Sequence, residues 1–434
     1  MPDHQRPILD NIAPGLNFPQ PNPFVPGFGE QPTYAARNGD PVGAFEAGLE
    51  GYDRMQRNVL ISGPRGTGKT VLLNEMEQVA RERGWTVITV HSGSRDFGAD
   101  IASQATERLR EIDPNATTSR VTSAGVNVMQ FGANGTREVV DRYPHSGESW
   151  GSLLARLAEI ASQQGGGVMV KVDEAHSFDP RDVQELSQRI QSYAGGRANF
   201  AFVAAGLPSG VDSLLSSDGA TFLARAQAVQ TGQVDQQAAL HLIGETTLFG
   251  GRAISTDAVE RAAELSQGHP YLMQLVGSEA WKQSTAHGGG RVTLENVNEG
   301  YRAAANEFMR TIHVPALRHA TSEQRDFLVA MSEDNGRPTH MSGMVSRLGI
   351  AGGDHSATRD SLMQAGFIRP SQDGGVEFAA PLAREAVMKF HVGGPGAFNT
   401  PTRAQSATVA PTRGSQAMKI AARQREAVGR GIGR

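Results

Sequence analysis

The 434-residue chain contains no cysteine. That absence excludes disulfides, thiolate-held zinc and a cysteine nucleophile, and it fits a cytoplasmic protein. No run approaches the ~18 apolar residues of a membrane span, so no membrane partner is expected. The opening Met1-Pro2-Asp3-His4-Gln5-Arg6 puts no basic patch ahead of an apolar stretch, and no secretory leader is expected. His176, His269 and His313 do not fall in a metal-ligand pattern; structural or hydrogen-bonding roles are expected of them. No Ser/His/Asp nucleophile set is visible. A large net charge is also missing, at −4 overall. The near balance hides an asymmetry. From His391 to Arg434 the positives are Arg403, Arg413, Lys419, Arg423, Arg425, Arg430 and Arg434, against Glu426 alone. The tail is thus +6 and the rest −10. A basic tail on an acidic body suits an anionic partner such as double-stranded DNA, or simply keeps the chain soluble.

What is present begins with Gly63-Pro64-Arg65-Gly66-Thr67-Gly68-Lys69-Thr70, a full match to the phosphate-binding P-loop. Val59-Leu60-Ile61 before it is β-prone, and Val71–Met76 after it is helix-prone. Strand, glycine loop and helix start in that order bring backbone N–H groups and a helix N-terminus onto one anion. Lys69 would reach the β- and γ-phosphates of ATP, and the Thr70 hydroxyl would ligate Mg²⁺. About one hundred residues later, Val168–Val172 is a near-continuous apolar strand ending in Asp173-Glu174. In a parallel sheet those carboxylates arrive beside the P-loop crevice. Asp173 can then hold Mg²⁺ and Glu174 can orient or deprotonate the attacking water.

The pattern along the chain divides it. Residues 1–33 form an irregular Pro/Gly-rich arm. Residues 34–235 alternate strands (58–62, 85–91, 167–173, 200–206, 228–234) with helices (71–83, 99–112, 150–163, 179–195). That alternation predicts an α/β parallel sheet covered on both faces. Residues 112–147 interrupt it with a polar insertion whose alternation at Val121, Val126, Val128 and Phe131 predicts a β excursion. Residues 236–316 read as an all-helical lid, with helices over 236–248, 255–266, 270–284 and 294–311. Residues 317–390 read as three helices (322–332 capped by Ser322, 340–348, 356–365) and a hairpin of 367–369 with 376–378. That is the order of a winged helix-turn-helix. Residues 391–434 form the basic flexible tail, whose end at 415–428 is compatible with a short helix.

At these motifs the chain resembles the AAA+ superfamily of P-loop ATPases, in particular the origin-recognition and archaeal-ATPase group, with overlap into the STAND signalling ATPases. Besides the P-loop and Asp173-Glu174, the resemblance rests on Ala205-Gly206-Leu207-Pro208 after the fourth strand and Gly268-His269-Pro270-Tyr271 in the lid. Tyr34-Ala35-Ala36-Arg37-Asn38-Gly39-Asp40-Pro41 stands where such proteins carry an adenine-contacting segment. The resemblance implies nucleotide contacts from Arg37 and Pro270, catalytic roles for Lys69 and Glu174, and an arginine finger at Arg225 that completes a neighbour's site in an oligomer. Two features depart from the pattern. The sensor position near the fourth strand offers only Ser209, and the lid stretch after Gly268 has no arginine. The missing sensors imply slow hydrolysis and a nucleotide-gated switch. Asp173-Glu174-Ala175-His176 and Gln424–Arg434 echo helicase motifs, but no second α/β domain separates them.

In the winged-helix segment, His355, Arg359 and Arg369, with Arg337 and Arg347 nearby, are the candidate DNA contacts, set against Asp354, Asp360, Asp373 and Glu377. Three functions remain open: a DNA-associated ATPase switch, a STAND-type switch acting through homo-oligomers or protein partners, and a DNA-binding protein that holds nucleotide without turnover.

Overall fold

The computed structural model describes residues 21–27, 32, 39–90, 96–121, 137–141, 143, 148–177, 182, 185–186, 188–189, 198–216, 223–348 and 355–398. Arg37, the alternating positions 126–131, most of the helix expected over 179–195, and the basic residues 403–434 lie outside them.

Five strands form one parallel sheet: β1 (Asn58–Ser62), β2 (Thr86–Val90), β5 (Val168–Val172), β6 (Phe200–Gly206) and β7 (Gln227–Gln230). Their spatial order is β2-β5-β6-β1-β7. The strand before the P-loop and the strand that ends at Asp173 are therefore separated by β6. β5 and β6 are buried along their whole length, as central parallel strands covered on both faces must be. One apolar layer packs β5's Val168, Val170 and Val172 against α3 (Phe97–Ile112) and α4 (Trp150–Gln163). The other packs Met169 with Leu72, Leu73 and Met76 of α2 (Lys69–Glu82) and Phe45 of α1 (Pro41–Leu49). The insertion after α3 carries β3 (Thr117–Val121) and β4 (Arg137–Asp141), an antiparallel pair apart from the main sheet.

The segment expected to be a lid consists of α6 (Gln236–Phe249), α7 (Thr256–Ser266), α8 (Pro270–Ala286) and α9 (Leu294–Phe308) around one core. It also holds a short parallel pair, β8 (Ala253–Ile254) and β9 (Arg291–Val292), within a segment expected to be all helix. The arm docks here. Phe24 is 4% exposed in the lid core, Asn22 Nδ2 donates to Ser278 Oγ at 2.9 Å, and Val25 N donates to Gln274 Oε1 at 2.9 Å. Gly277 forms the socket, since a Cβ there would stand 2.3 Å from the Phe24 ring.

α9 runs through a π turn, Met309–His313, into α10 (Val314–His319). Pro315 lacks the N–H an unbroken helix would use, and the wider turn absorbs the mismatch. Beyond it stand α11 (Ser322–Ser332), α12 (Met341–Arg347) and α13 (Ser356–Gln364). The antiparallel β10 (Ile368–Pro370) and β11 (Val376–Phe378) follow, then α14 (Ala383–Gly393). The cap of α11 is Thr321, not Ser322: Thr321 and Gln324 satisfy each other's backbone N–H in a capping box. Pro370 pairs with Val376 instead of opening the turn. α14 was not expected; it continues past 391, and Phe398 beyond it is buried. Among the described residues no helix is long and apolar enough to cross a membrane.

Candidate functional site

The P-loop leaves β1 at Ser62 and enters α2 at Lys69, and its shape follows from two close approaches. At Gly63 a Cβ would lie 2.2 Å from Thr231 Oγ1, so only glycine fits against the segment after β7. At Gly66, with φ +74°, a Cβ would lie 2.8 Å from His269 Cε1 and 3.1 Å from Ile312 Cδ1. The loop is thus braced on both sides. Thr231 N donates to Ser62 O at 2.7 Å, and the Thr67 and Thr231 hydroxyls meet at 2.8 Å. On the lid side Tyr271 N donates to Gly66 O at 3.3 Å.

Lys69 Nζ donates to Gly63 O at 2.9 Å and Pro64 O at 2.6 Å, folded back on its own loop. Burial pushes its pKa down to about 8, Asp173 and Glu174 pull it back up, and Arg65 pushes it further down. Thr70 Oγ1 donates to Asp173 Oδ2 at 2.9 Å. A hydroxyl beside a carboxylate offers hard oxygen donors of the kind that would suit Mg²⁺. Glu174 is exposed and takes φ +52°, a left-handed turn rare outside glycine. Asp173 Oδ1 accepts from Glu174 N at 2.9 Å, which ties that turn to the end of β5.

Arg225 ends a short turn, Leu223–Arg225, just before β7, and is exposed. Pro270 is the first residue of α8, where its missing N–H costs nothing. Ser209 falls in the first turn of α5 (Pro208–Ser216), with its side chain outside the described residues, as is that of His176. Arg37 is outside them altogether.

His269 and His313 are buried. Phe308 lies between them, with ring centroids 4.8 Å from His269 and 5.6 Å from His313. Burial pushes His269 down to about 3 and His313 to about 4, so both are neutral near pH 7. His313 Nε2 pairs with Pro381 O at 2.8 Å, and only a protonated, donating nitrogen satisfies that carbonyl. A continuous set of contacts therefore runs from the P-loop through Gly66, His269, Phe308 and His313 to the loop before α14. A cleft of about 360 Å³ lies alongside, bounded by Arg65 of the P-loop and by His319, Gln324 and Phe367.

The expected DNA contacts fare differently. His355 is buried at 6% exposure and cannot face a groove, which corrects that assignment. Arg347 is engaged with Asp334 at 2.5 Å, Arg369 with Glu377 at 2.7 Å and Arg359 with Asp360 at 2.8 Å. Arg337 is exposed. Thr231 and the Gly66–His269 contact escaped the sequence because they are tertiary. Lys171 is signalled in the sequence as the one charge inside an apolar strand.

Residues 43–192 match the family model of the AAA ATPase domain, and residues 310–385 match a Domain of unknown function (DUF8462). No characterised protein sequence matches the chain. Among solved structures, the Walker-type ATPase PABY2304 of Pyrococcus abyssi aligns at a TM-score of 0.57 and 16% identity, over 83% of this chain and 98% of its own. The Aeropyrum pernix ORC2 protein, solved as ADPNP–ADP complexes, aligns at 0.56 and 11% identity, over 86% and 97%. The domain match, with the strand order and the P-loop beside Asp173, makes residues 43–192 an AAA ATPase domain of the P-loop kind. The chain's particular architecture is the one seen in PABY2304 and ORC2, a likeness of fold.

Proposed function

We propose that the chain binds ATP with Mg²⁺, hydrolyses it slowly, and uses the cycle to shift the C-terminal unit against the core. The observation that carries this is the convergence of Lys69, Thr70, Asp173 and Glu174 at the carboxyl ends of β1 and β5. On this reading Lys69 exchanges the Gly63 and Pro64 carbonyls for the β- and γ-phosphates, and Thr70 and Asp173 hold the cation. Mg²⁺ supplies neutralisation of phosphate charge. Glu174 takes the proton of the water whose oxygen attacks the γ-phosphorus as the bond to the β-phosphate oxygen breaks. Pro270 packs on the adenine, and Arg225 reaches the site of a neighbouring subunit. Arg37 is assigned to the nucleotide only by resemblance. The lack of an arginine in the lid stretch after Gly268, and the poor sensor candidate Ser209, support slow turnover.

Coupling to the C-terminal unit is supported by the contacts from Gly66 to Pro381. Three helices and a hairpin support a winged-helix reading of that unit, with DNA as partner through it and the basic tail. The engaged arginines and buried His355 favour the second reading, a STAND-type switch that acts through protein assembly. Turnover by wild type, Lys69→Ala, Glu174→Gln and Arg225→Ala, with and without double-stranded DNA, decides between them. Lys69→Ala and Glu174→Gln are expected to lose at least about 100-fold, and Arg225→Ala on the order of 10³-fold if it serves as a finger. Acceleration by DNA supports the first reading. Turnover indifferent to DNA but dependent on assembly supports the second. Full activity in Glu174→Gln removes the hydrolytic assignment.

A further inference from the structure

Lys171 is a charge buried in the middle of β5, and an apolar residue would fill that place without the cost of desolvating an ammonium. Strand alternation explains where it points. Val168, Val170 and Val172 face α3 and α4, and Met169 faces α2, so 171 and 173 also lie on the α2 side. There Lys171 Nζ donates to Asn74 Oδ1 at 2.6 Å and pairs with Glu77 Oε2 at 2.5 Å. The other Glu77 oxygen is held by Arg81 at 2.7 Å. Its ties to Lys171 and Arg81 outweigh the opposing effect of burial and keep the Glu77 carboxyl below its ordinary range.

Thr70, Asn74 and Glu77 form one stripe of α2, at i, i+4 and i+7. Thr70 precedes Asn74 by four residues, about 6 Å along a helix. Asp173 follows Lys171 by two residues, about 6.6 Å along a strand. The strand rises as the helix descends, so the one register that joins Lys171 to Asn74 and Glu77 also joins Asp173 to Thr70. A purely apolar contact at 171 would tolerate a slide of a fraction of a turn, whereas a bidentate set of polar contacts does not.

We propose that Lys171 is a positioning residue for the metal pair: its bonds to Asn74 and Glu77 fix the register of α2 on β5 that brings Thr70 and Asp173 to one cation. The proposal rests on the ATPase reading above. It is tested by binding of a fluorescent ATP analogue in EDTA and across a Mg²⁺ titration. The proteins are wild type, Lys171→Met, Lys171→Arg and the paired Lys171→Met/Glu77→Met, with melting temperature measured alongside. Lys171→Met and the paired variant are expected to need about tenfold more Mg²⁺ for half-maximal effect, as loss of an outer-shell partner does. Their affinity in EDTA should stay within about twofold of wild type, and Lys171→Arg should recover most of the metal response. The paired variant leaves no buried unpaired charge, so it keeps the test valid if Lys171→Met alone does not fold. An unchanged Mg²⁺ response in the folded paired variant overturns the proposal. So does an equal loss of affinity with and without metal, which marks a merely structural residue. Wild type that binds the analogue without any response to Mg²⁺ overturns the metal assignment of the ATPase reading and this inference with it.

Discussion

Lys69 sets the pH behaviour of the nucleotide site. Its amine is held near a pKa of about 8 by burial, below the ordinary 10.5. For stability the sign is unfavourable: below pH 8 folding bears the cost of a buried ammonium, and that cost fades as pH rises from 8 towards 10.5. For binding the sign reverses, because polyphosphate favours the ammonium. Affinity for ATP should be level below pH 8 and fall about tenfold per unit above it, while binding near pH 8 takes up a fraction of a proton. Calorimetry in buffers of different ionisation enthalpy measures both. Lys69→Ala should remove the pH dependence with the affinity. A wild-type affinity that is flat to pH 9.5 would refute the assignment. At this scale the sequence was informative where chemistry is local. The eight P-loop residues and Asp173-Glu174 declare themselves by type and spacing. The left-handed backbone at Glu174 and the brace from Thr231 do not, since each depends on a neighbour distant in sequence.

At the scale of elements, strands β1 and β6 and helix α4 follow directly from apolar runs and periodicity. The helices that went unseen are informative. α1 is short, holds Gly43 and Gly48, and starts from an N-cap, Asp40, in a left-handed conformation. α5 begins two residues after a strand that gives no stop signal beyond Gly206 and Pro208. Both are stabilised by what they pack against more than by propensity. The arm is a similar case. A Pro/Gly-rich segment reads as irregular, and residues 21–27 are irregular, yet Phe24 fills a socket in the lid. Phe24→Ala should cost the lid about 3 kcal/mol by leaving a cavity against Gly277. Amide exchange in α8 should accelerate while the protection of β1 and β6 stays unchanged. Unaltered exchange in α8 would mean that the arm does not support the lid.

For the whole molecule, the contacts from Gly66 to Pro381 would carry the proposed coupling of nucleotide to the C-terminal unit. His313→Ala removes the bond to Pro381 O and the ring that rests on Phe308. Nucleotide should change amide exchange over residues 355–398 in wild type, and that response should disappear in His313→Ala with ATP affinity within about threefold of wild type. A response that survives the substitution would place the coupling elsewhere, such as across the cleft at Arg65. None of this could be drawn from the sequence, because the π turn and the paired rings arise only when the lid and the last unit pack together. The docked arm has one more consequence, for synthesis. Val25 meets Gln274, 249 residues further along the chain. At about 5–20 residues per second, the arm leaves the ribosome roughly 12–50 s before its socket exists. A segment made well before its socket is thus among the last to find its place, and a holding chaperone would have a long opportunity at Phe24.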